Sequence, residues 1–514
     1  MQQLFAGKPK LPVFLLTLYL WGVVTCQALS YDLPHTLWIA IVSLPAAFLV
    51  SALALGLLDR LLYPASGRRR ETRRALRPPV FAALVFFATL AALLLWFIHM
   101  QRYFSFGMDN ALQLRQARGL EPYNDWHPVI HTLLFFTLPV KLGLEEHGIV
   151  LLQILYFSAA FAYLMLVLHE SGCPRFLLGL SLAFVVLDEL IWVFLCSPFK
   201  DNAMMIFIML LTAFTIRILC SGGAWLDAPL HLLLYAVCAT LALKMRHNAV
   251  LYVAPSVLIT LFSLVKKWRT RLLAAAAILL CLLALKGLYA ALDVRSPDQR
   301  RVETLGLPLT IWCNVMQDAP EALPEDTQEI LYRFATAEQY RTLYYPGSFN
   351  SIKFTDVVDV KAIDVLGYGD ALRITLQCFR CAPRQSWSAL LKLTRMVWGV
   401  TDLYPNTENF GLLAQSGGLF ETLKILFKGT ANLLFGSLGL QMLVLLAVAL
   451  ALLRRRRIAF LYILPIFCHN FGTMLLLSGW DWRFFIYALP IFAPTLFLML
   501  RDERTFPDTG GGKP

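Results

Sequence analysis

Long apolar runs, separated by short polar or basic segments, recur along most of this chain. A helix needs about 20 apolar residues to cross the hydrocarbon core of a bilayer, and these runs reach or approach that length. They are continuously apolar, whereas the strands of a membrane barrel alternate over about ten residues. The pattern predicts about twelve transmembrane helices in an all-α polytopic membrane protein. The predicted spans lie near residues 11–29, 37–58, 80–100, 148–169, 176–197, 203–221, 230–246, 248–265, 272–292, 431–453, 458–479 and 484–500.

The composition agrees with this pattern. Of the 514 residues, 58% are hydrophobic and only 15% are charged, and the mean hydropathy is +0.63. A soluble globular domain of this composition would not stay in solution. The formal net charge of +12 comes from Lys and Arg clustered between apolar runs, so it indicates membrane topology rather than nucleic-acid binding.

Basic residues mark one side of the membrane. In most membrane proteins Lys and Arg accumulate in the cytoplasmic loops, which assigns the basic loops of this chain to the cytoplasm. Both termini are then cytoplasmic, and the protein lies in the cell membrane with its candidate catalytic face outside. The basic loops lie at 68–77, 266–271, 454–457 and 501–504, and the outward loops lie at 101–147, 198–202 and 293–430.

These loops divide the chain into three predicted parts. Residues 1–292 form a transmembrane module of about nine helices, and residues 293–430 form an extracytoplasmic, α-rich region. Residues 431–514 contain the last helices and a short cytoplasmic tail. Within the first large outward loop, the apolar stretch 129–140 is too short to span a bilayer, so we expect a helix lying at the membrane interface.

Candidate chemistry begins in that outward loop. Asp109 follows the third span, and Asp125, His127 and His131 surround the start of the interfacial stretch. A carboxylate at this place can deprotonate or orient an acceptor hydroxyl without a metal. A structural interpretation stays open, in which Asp109 caps one helix and the His127–Pro128 pair begins the next.

Two tighter outward turns carry further charge. Lys200 and Asp201 open the sixth predicted span, where Asp201 acts either as a catalytic group or as a first-turn acid that gains up to about 1 kcal/mol from the helix dipole. Lys244, Arg246 and His247 lie between spans seven and eight. Cations at this depth either extend toward the headgroups or bind a lipid phosphate, and their convergence favours phosphate.

Other motifs are less specific. Asp188 and Glu189 lie inside the fifth predicted span and indicate either a polar cavity or pairing with a base such as Lys286. Cys378 and Cys381 have redox-motif spacing without a thioredoxin-like context, and a local disulfide between them stays open. No P-loop, Rossmann fingerprint or HExxH motif is present, so cytoplasmic nucleotide chemistry and zinc proteolysis are not expected.

The order of these features resembles the GT-C superfamily of membrane glycosyltransferases, and in particular family 39, the protein mannosyltransferases. The stretch WHPVI, which contains His127, resembles their His-Pro-Pro-Leu-like motif. SPFKDNAMMIFIMLL resembles an acid that opens an apolar helix, LALKMRHNAVLYVAP resembles a Lys-bearing helix break, and DWRFFIYALPIF, with Arg483, resembles the final helix. The adjacent acid pair of the family is here Asp109 followed by Asn110, and Phe484 replaces a tyrosine.

A second resemblance covers most of residues 100–500. The stretches NDWHPVIHTLL and LGLPLTIWCNVMQDAPEALPEDTQEIL look like those of uncharacterised multi-pass bacterial proteins related to these glycosyltransferases. Both resemblances imply a GT-C-like fold and transfer of a sugar, with inversion, from a polyprenyl-phosphate donor to an acceptor on the extracytoplasmic face. The implied partners are membrane lipid and an envelope glycan, lipid or protein, without nucleic acid.

The resemblance also implies roles for residues. Asp109 would orient or deprotonate the acceptor, Asp201 would help to position it, and Lys244 and Arg246 would hold the leaving phosphate. The remaining candidates for substrate binding are Asp125, His127, Lys200, His247 and Arg483. Since only one carboxylate stands where the family has two, we expect no cofactor and favour a metal-independent enzyme.

Two alternatives remain. A transporter or lipid flippase suits the number of spans, but no repeated half is visible, and the candidate residues gather at one face rather than near the bilayer midplane. An inactive relative that binds a lipid-linked sugar is the other alternative, because the single Asp109 leaves the catalytic acid incomplete.

Overall fold

All regular secondary structure in the described residues of the computed structural model is helical, without a strand. The described residues also contain two isolated β-bridges, which join Asn124 to Arg295 and Tyr345 to Ser348. The structure describes residues 10–31, 33, 35–62, 76–100, 108–186, 188–295, 301–353, 355, 357–400, 437–476, 479, 481–502 and 504.

The described residues before 296 form thirteen α-helices. They are α1 (Leu11–Ser30), α2 (Thr36–Leu62), α3 (Pro78–Met100), α4 (Met108–Ala117), α5 (Val129–His131), α6 (Leu138–Lys141), α7 (Glu145–Glu170), α8 (Arg175–Val186), α9 (Glu189–Leu195), α10 (Lys200–Cys220), α11 (Pro229–Lys244), α12 (Val250–Ile259) and α13 (Trp268–Ala291). Two π-helical turns, Thr132–Thr137 and Thr260–Leu264, and two 3-10 turns, Ala224–Asp227 and His247–Ala249, complete this part.

The remaining helices form an outward region and the C-terminal bundle. They are α14 (Arg301–Thr304), α15 (Gly306–Asp318), α16 (Glu325–Tyr332), α17 (Ala337–Leu343), α18 (Asn350–Lys353), α19 (Val360–Val365), α20 (Tyr368–Cys381), α21 (Pro383–Trp398), α22 (Leu438–Arg454), α23 (Leu464–Leu476) and α24 (Ala488–Arg501). The 3-10 turns are Pro320–Ala322, Ile458–Ile463 and Trp482–Phe484.

Nine helices in the described part of the chain are long and apolar enough to cross a membrane. The chain is therefore an all-helical protein that passes through a membrane several times. Three predicted spans are shorter in the structure, because α8, α11 and α22 have 12, 16 and 17 residues. At 1.5 Å per residue, 16 or 17 residues extend about 25 Å, which is less than the roughly 30 Å hydrocarbon core. The number twelve stays a prediction.

The helices differ sharply in their burial. Most residues of α10 and α24 are buried, and these two helices pack against each other within the main core. Of the 24 residues of α13, only Thr270 and Ala274 are buried, although the helix is apolar along most of its length. An apolar helix with so little protein around it fits a place at the lipid boundary. The bundle thus has a protein-buried centre and a lipid-facing periphery.

The predicted outward region is α-rich and has its own core. Residues of α15 to α21, including Trp312, Tyr344 and Cys378, form a hydrophobic cluster separate from that of the bundle. The helical content predicted for residues 293–430 is seen in the described residues up to 400, whereas the extracytoplasmic location stays a prediction, and residues 401–430 lie outside the described part of the chain.

The apolar stretch 129–140 differs from its prediction in burial. It is helical, as α5, a π-helical turn and α6, but Val129, Ile130, Phe135 and Phe136 are buried in protein. The π-helical turn packs against α4 and α7. The segment is therefore packed into the helix bundle and does not lie on its surface as predicted.

Loops predicted for one side of the membrane meet one another. Asp59 pairs with Arg454 (3.4 Å) and Arg455 (3.1 Å), and Asp227 pairs with Lys267 (2.7 Å). These contacts join loops that the charge pattern assigns to the cytoplasm. The loops assigned to the outside meet at the start of α10, where the candidate residues lie.

Candidate functional site

The start of α10 brings a carboxylate into the protein interior. Phe199 precedes the helix in an extended conformation, so Lys200 and Asp201 fall in the first turn, and the side chain of Asp201 is only 1% exposed. Two amides hold the preceding turn. Gln153 donates to the carbonyls of Leu195 (2.9 Å) and Ser197 (3.0 Å), and Asn202 donates to the carbonyls of Phe194 (2.7 Å) and Ser197 (2.8 Å). The charged helix start is therefore fixed by backbone contacts.

The break between α11 and α12 supplies the partner of this carboxylate. After α11 ends at Lys244, Arg246 takes an extended backbone conformation, and a 3-10 turn leads into α12. Arg246 Nη1 forms an ion pair with Asp201 Oδ1, and its side chain is 11% exposed. A buried ionised carboxylate is costly unless a cation or hydrogen-bond donors compensate it. The helix break thus serves to aim a guanidinium at Asp201.

An aromatic ring links this pair to a second arginine. The Arg246 guanidinium lies 4.3 Å from the centre of the Phe484 ring, and that of Arg483 lies 4.9 Å from the same ring. Arg483 Nε also pairs with Asp481 Oδ2 at 2.9 Å, and Arg483 lies 5.7 Å from the ring of Phe199. In cation–π contacts of this kind the ring face attracts the guanidinium group. Phe484 thus lies against two guanidinium groups.

Residues of the first outward loop join the same cluster. Lys200 Nζ lies 3.2 Å from His127 Nδ1, and the side chain of His127 is buried. Asp125 Oδ1 accepts from the backbone of Val129 at 3.4 Å, which places it at the start of α5. Asp125, Lys200 and Arg246 all lie within electrostatic range of His247. Seven of the nine predicted site residues are thus close together: Asp125, His127, Lys200, Asp201, Arg246, His247 and Arg483.

The other two predicted residues differ. Lys244 ends α11 with an exposed side chain, so it is not buried with Arg246. Asp109 lies in the first turn of α4, and its side chain is outside the described part of the structure. Its predicted role stays a prediction.

The helix that begins near Asp109 is tied to the cluster through His131. Gln113 Nε2 on α4 donates to His131 Nδ1 and to Thr132 Oγ1, both at 3.0 Å. Burial lowers the pKa of His131 to about 3, with smaller contributions from the charges of Lys200 and His127. His131 is therefore neutral at physiological pH and serves as an acceptor that positions α4.

A polar layer below the ion pair was missed from the sequence. Tyr487 donates its hydroxyl to Asn470 Oδ1 at 2.7 Å, and the His469 ring lies 4.5 Å from that of Tyr487. Asn248 Nδ2 donates to Thr473 Oγ1 at 2.9 Å. The sequence contained a signal for this layer, because His469 and Asn470 lie inside the predicted span 458–479 and polar residues at membrane depth are usually functional.

The remaining sequence motifs involve Asp188, Glu189, Cys378 and Cys381. Asp188 caps α9, because its Oδ1 accepts from the Leu190 backbone at 2.9 Å. The side chain of Glu189 is outside the described part of the structure. Cys378 is buried and Cys381 is exposed on α20, and both are free thiols, so they form no disulfide here. Among the described residues, no group of three His, Cys, Asp or Glu side chains is placed to hold a metal ion.

The geometry brings three cations, Lys200, Arg246 and Arg483, to one end of the bundle. Two of them pair with carboxylates, and all three lie beside aromatic or imidazole rings. Such an arrangement can bind an anion, because Arg and Lys donate strong hydrogen bonds to phosphate oxygens. Comparisons of the chain with protein-family models, with curated proteins and with solved structures find no match.

Proposed function

We propose that this protein is an integral membrane glycosyltransferase that moves a sugar from a polyprenyl-phosphate donor to an acceptor on the extracytoplasmic face. One observation carries the proposal: Arg246, ion-paired with Asp201, lies at the same end of the bundle as Lys200 and Arg483, and the charge pattern predicts that this end faces outward. A lipid phosphate lies at this depth, and fixed cations there lower the energy of a phosphate leaving group.

The reaction needs one bond to form and one to break. The oxygen of an acceptor hydroxyl attacks the anomeric carbon from the face opposite the phosphate, and the bond between that carbon and the phosphate oxygen breaks with its electron pair on the phosphate. The hydroxyl proton passes to a carboxylate, for which Asp109 is our candidate. This displacement inverts the anomeric configuration and releases polyprenyl phosphate.

In this proposal Arg246 and Arg483 hold the phosphate. Both guanidinium groups lie against the ring of Phe484, and cations held in place before the reaction favour a preorganised site. Lys200 adds a third positive charge beside His127.

Asp201 then has a role other than contact with the acceptor. Its carboxylate is buried and ion-paired with Arg246, so it is suited to position that guanidinium. Asp125 and His247, at the rim of the cluster, are better placed to contact the sugar.

The lipid chain of the donor explains why the enzyme is a membrane protein. A polyprenyl chain needs an apolar surround, which lipid or lipid-facing helices provide, while its phosphate stays at the interface. Sugar transfer from such a donor needs no soluble nucleotide substrate, in agreement with the missing nucleotide motifs.

The test is transfer of radiolabel from a panel of polyprenyl-phosphate sugars to endogenous acceptors in membranes that contain the protein. Asp109→Asn should abolish transfer and leave donor binding nearly unchanged, since it removes only the proposed base. Lys244→Ala should reduce transfer much less than Arg246→Ala, because Lys244 is exposed.

Two results would contradict the proposal. One is full transfer by Asp109→Asn, which would remove that residue from the reaction. The other is absence of transfer from every donor combined with movement of labelled lipid across a reconstituted bilayer, which would favour the flippase.

A further inference from the structure

A cleft beside the cation cluster has no role in the proposed chemistry. It has a volume of about 350 Å³, which lies within the usual range of small-molecule sites. Its walls come from the end of α4, the loop that follows it, the π-helical turn with α6, and the end of α13. The polar lining consists of Gln116, Glu121, Tyr123, Thr137, Lys141 and Asp293.

Gln116 has an unmatched acceptor in this wall. The residue is 1% exposed, and its Nε2 donates to the carbonyl of Pro122 at 3.3 Å. Because a carbonyl oxygen can only accept, the amide atom that faces Pro122 is the nitrogen Nε2. The oxygen Oε1 therefore points away from this bond. Gln116 Oε1 is buried without a hydrogen-bond partner. Buried acceptors are nearly always satisfied, so such an atom in a cleft wall points to a donor on a ligand.

The charges of the cleft distinguish between ligand classes. Glu121 and Asp293 are carboxylates, Lys141 is an ammonium, and Glu121 already accepts from Arg115 Nε at 2.6 Å. With Arg115 counted, two carboxylates face two cations, so the cleft has no excess positive charge that would favour an anion such as phosphate. Acceptor oxygens, a hydroxyl on Thr137 and an aromatic ring on Tyr123 suit a ligand with many hydroxyl groups and an apolar face. These are the properties of a neutral sugar.

We propose that this cleft binds a neutral sugar residue of the acceptor. That the sugar belongs to the acceptor rests on the proposed function, whereas binding of a sugar to the cleft can be measured independently. Tyr123 would lie against the apolar face of the ring, and Gln116, Glu121 and Asp293 would accept from its hydroxyls.

The cleft is connected to the cation cluster through the backbone. Arg295 donates its N–H to the Tyr123 carbonyl at 2.9 Å, and Asp125 donates its N–H to the Arg295 carbonyl at 3.1 Å. One wall of the cleft therefore continues directly into Asp125, which lies within electrostatic range of His247. A glycan held in the cleft has a short path to the site where the phosphate would lie.

Substitutions can probe the cleft without disturbing the fold. Tyr123→Ala removes the ring, whereas Tyr123→Phe keeps it, and the backbone bond to Arg295 is kept in both. Asp293 has a left-handed backbone (φ 47°), which Asn tolerates better than most residues other than glycine, so Asp293→Asn changes charge without adding strain. Tyr345→Ala, at a 60% exposed tyrosine of the outward region, is the matched control.

The experiment uses the full chain in lipid nanodiscs and an array of neutral oligosaccharides, followed by affinity measurements on the best-bound glycan. The same terminal sugar on a short polyprenyl phosphate is the second probe. We expect Tyr123→Ala and Asp293→Asn to weaken binding of the soluble glycan about tenfold, and Tyr123→Phe and Tyr345→Ala to leave it within about twofold.

The outcomes separate this inference from the proposed function. Glycan binding that Tyr123→Ala weakens, without sugar transfer from any donor, would support the cleft and contradict the transferase. Loss confined to the lipid-linked probe would overturn the acceptor assignment. Absence of glycan binding, or equal binding by all variants, would overturn the inference even if transfer occurs.

Discussion

At the scale of residues, Arg246 and Asp201 depend on each other. Asp201 is buried and Arg246 is largely buried, and each lies at a helix end that loops hold in place. Removal of one partner leaves the other as an uncompensated buried charge, which typically costs about 3–5 kcal/mol, whereas removal of both costs less.

We therefore predict a strong coupling between these two residues. Arg246→Ala should lower stability by about 3–5 kcal/mol, and the double variant Arg246→Ala with Asp201→Ala should recover a large part of that loss. Thermal unfolding of the purified proteins in detergent measures both. Additive effects of the two substitutions would contradict a direct ion pair.

His131 gives a prediction about pH. Burial lowers its pKa to about 3, against about 6.5 in the unfolded chain, so between these values the unfolded state binds the proton. Stability contributed by the neutral ring is complete above about pH 6.5 and is lost as the pH falls toward 3. From pH 7.5 to pH 5 the loss should be about 2 kcal/mol.

The variant His131→Gln isolates this effect. It keeps an acceptor near Gln113 and removes the titrating group, so its melting temperature should fall less between pH 7.5 and pH 5 than that of the wild type. Equal falls in the two proteins would show that His131 does not remain neutral in the folded state.

The sequence allowed prediction of the charged members of the site but not of their contacts. Lys200, Asp201 and Arg246 stand out because charge is rare in apolar segments. The Arg246–Asp201 pair depends on how α10 packs against the α11–α12 break, which no local pattern encodes. The contacts of Phe484 with Arg246 and Arg483 were not predicted, and Gln116 was missed, because an aromatic residue and an amide there resemble ordinary packing residues.

At the scale of elements, continuous apolar character predicted helices well and their interruptions poorly. The predicted span 176–197 is divided into α8 and α9, and Asp188 caps the second helix. The apolar content of a segment reflects its burial from water. A buried segment that contains a helix break is as apolar as an unbroken helix, so apolar content does not reveal the break. The pair Asp188–Glu189 was the local signal of a new helix start.

This break leads to a prediction for Asp188. Asp188→Ala removes the cap of α9 and should lower stability by about 1 kcal/mol, whereas Asp188→Asn keeps a capping oxygen and should lower it less. Thermal unfolding with a sugar-transfer assay on the folded fraction tests this. Loss of transfer in both variants with unchanged melting temperatures would instead assign Asp188 a chemical role.

At the scale of the whole molecule, the grouping of loops agrees with the charge pattern, while the sidedness itself is a prediction. Two native cysteines can test it. Cys381 is exposed in the region predicted to lie outside, and Cys220 is exposed at the end of α10 that is predicted to lie inside.

We predict that a membrane-impermeant maleimide labels Cys381 in intact cells and labels Cys220 only after permeabilisation. Cys381→Ser should remove the labelling seen in intact cells. Cys220→Ser should reduce the additional labelling that appears after permeabilisation. Labelling of Cys220 in intact cells would reverse the orientation and place the cation cluster on the cytoplasmic side.

The proposal that Arg246 binds the phosphate of a glycosyl donor is tested most directly by measuring release of polyprenyl phosphate. The assay uses purified protein in proteoliposomes that are supplied with a polyprenyl-phosphate sugar and an envelope glycan. Two variants provide a matched comparison, because Arg246 and Arg454 are both largely buried and both pair with an aspartate. Arg246→Lys keeps the charge but loses the planar guanidinium, so release should slow at least about tenfold, while Arg454→Lys should release at nearly the wild-type rate. Equal rates in the two variants, or no release by the wild type from any donor, would contradict a glycosyltransferase whose phosphate site is Arg246.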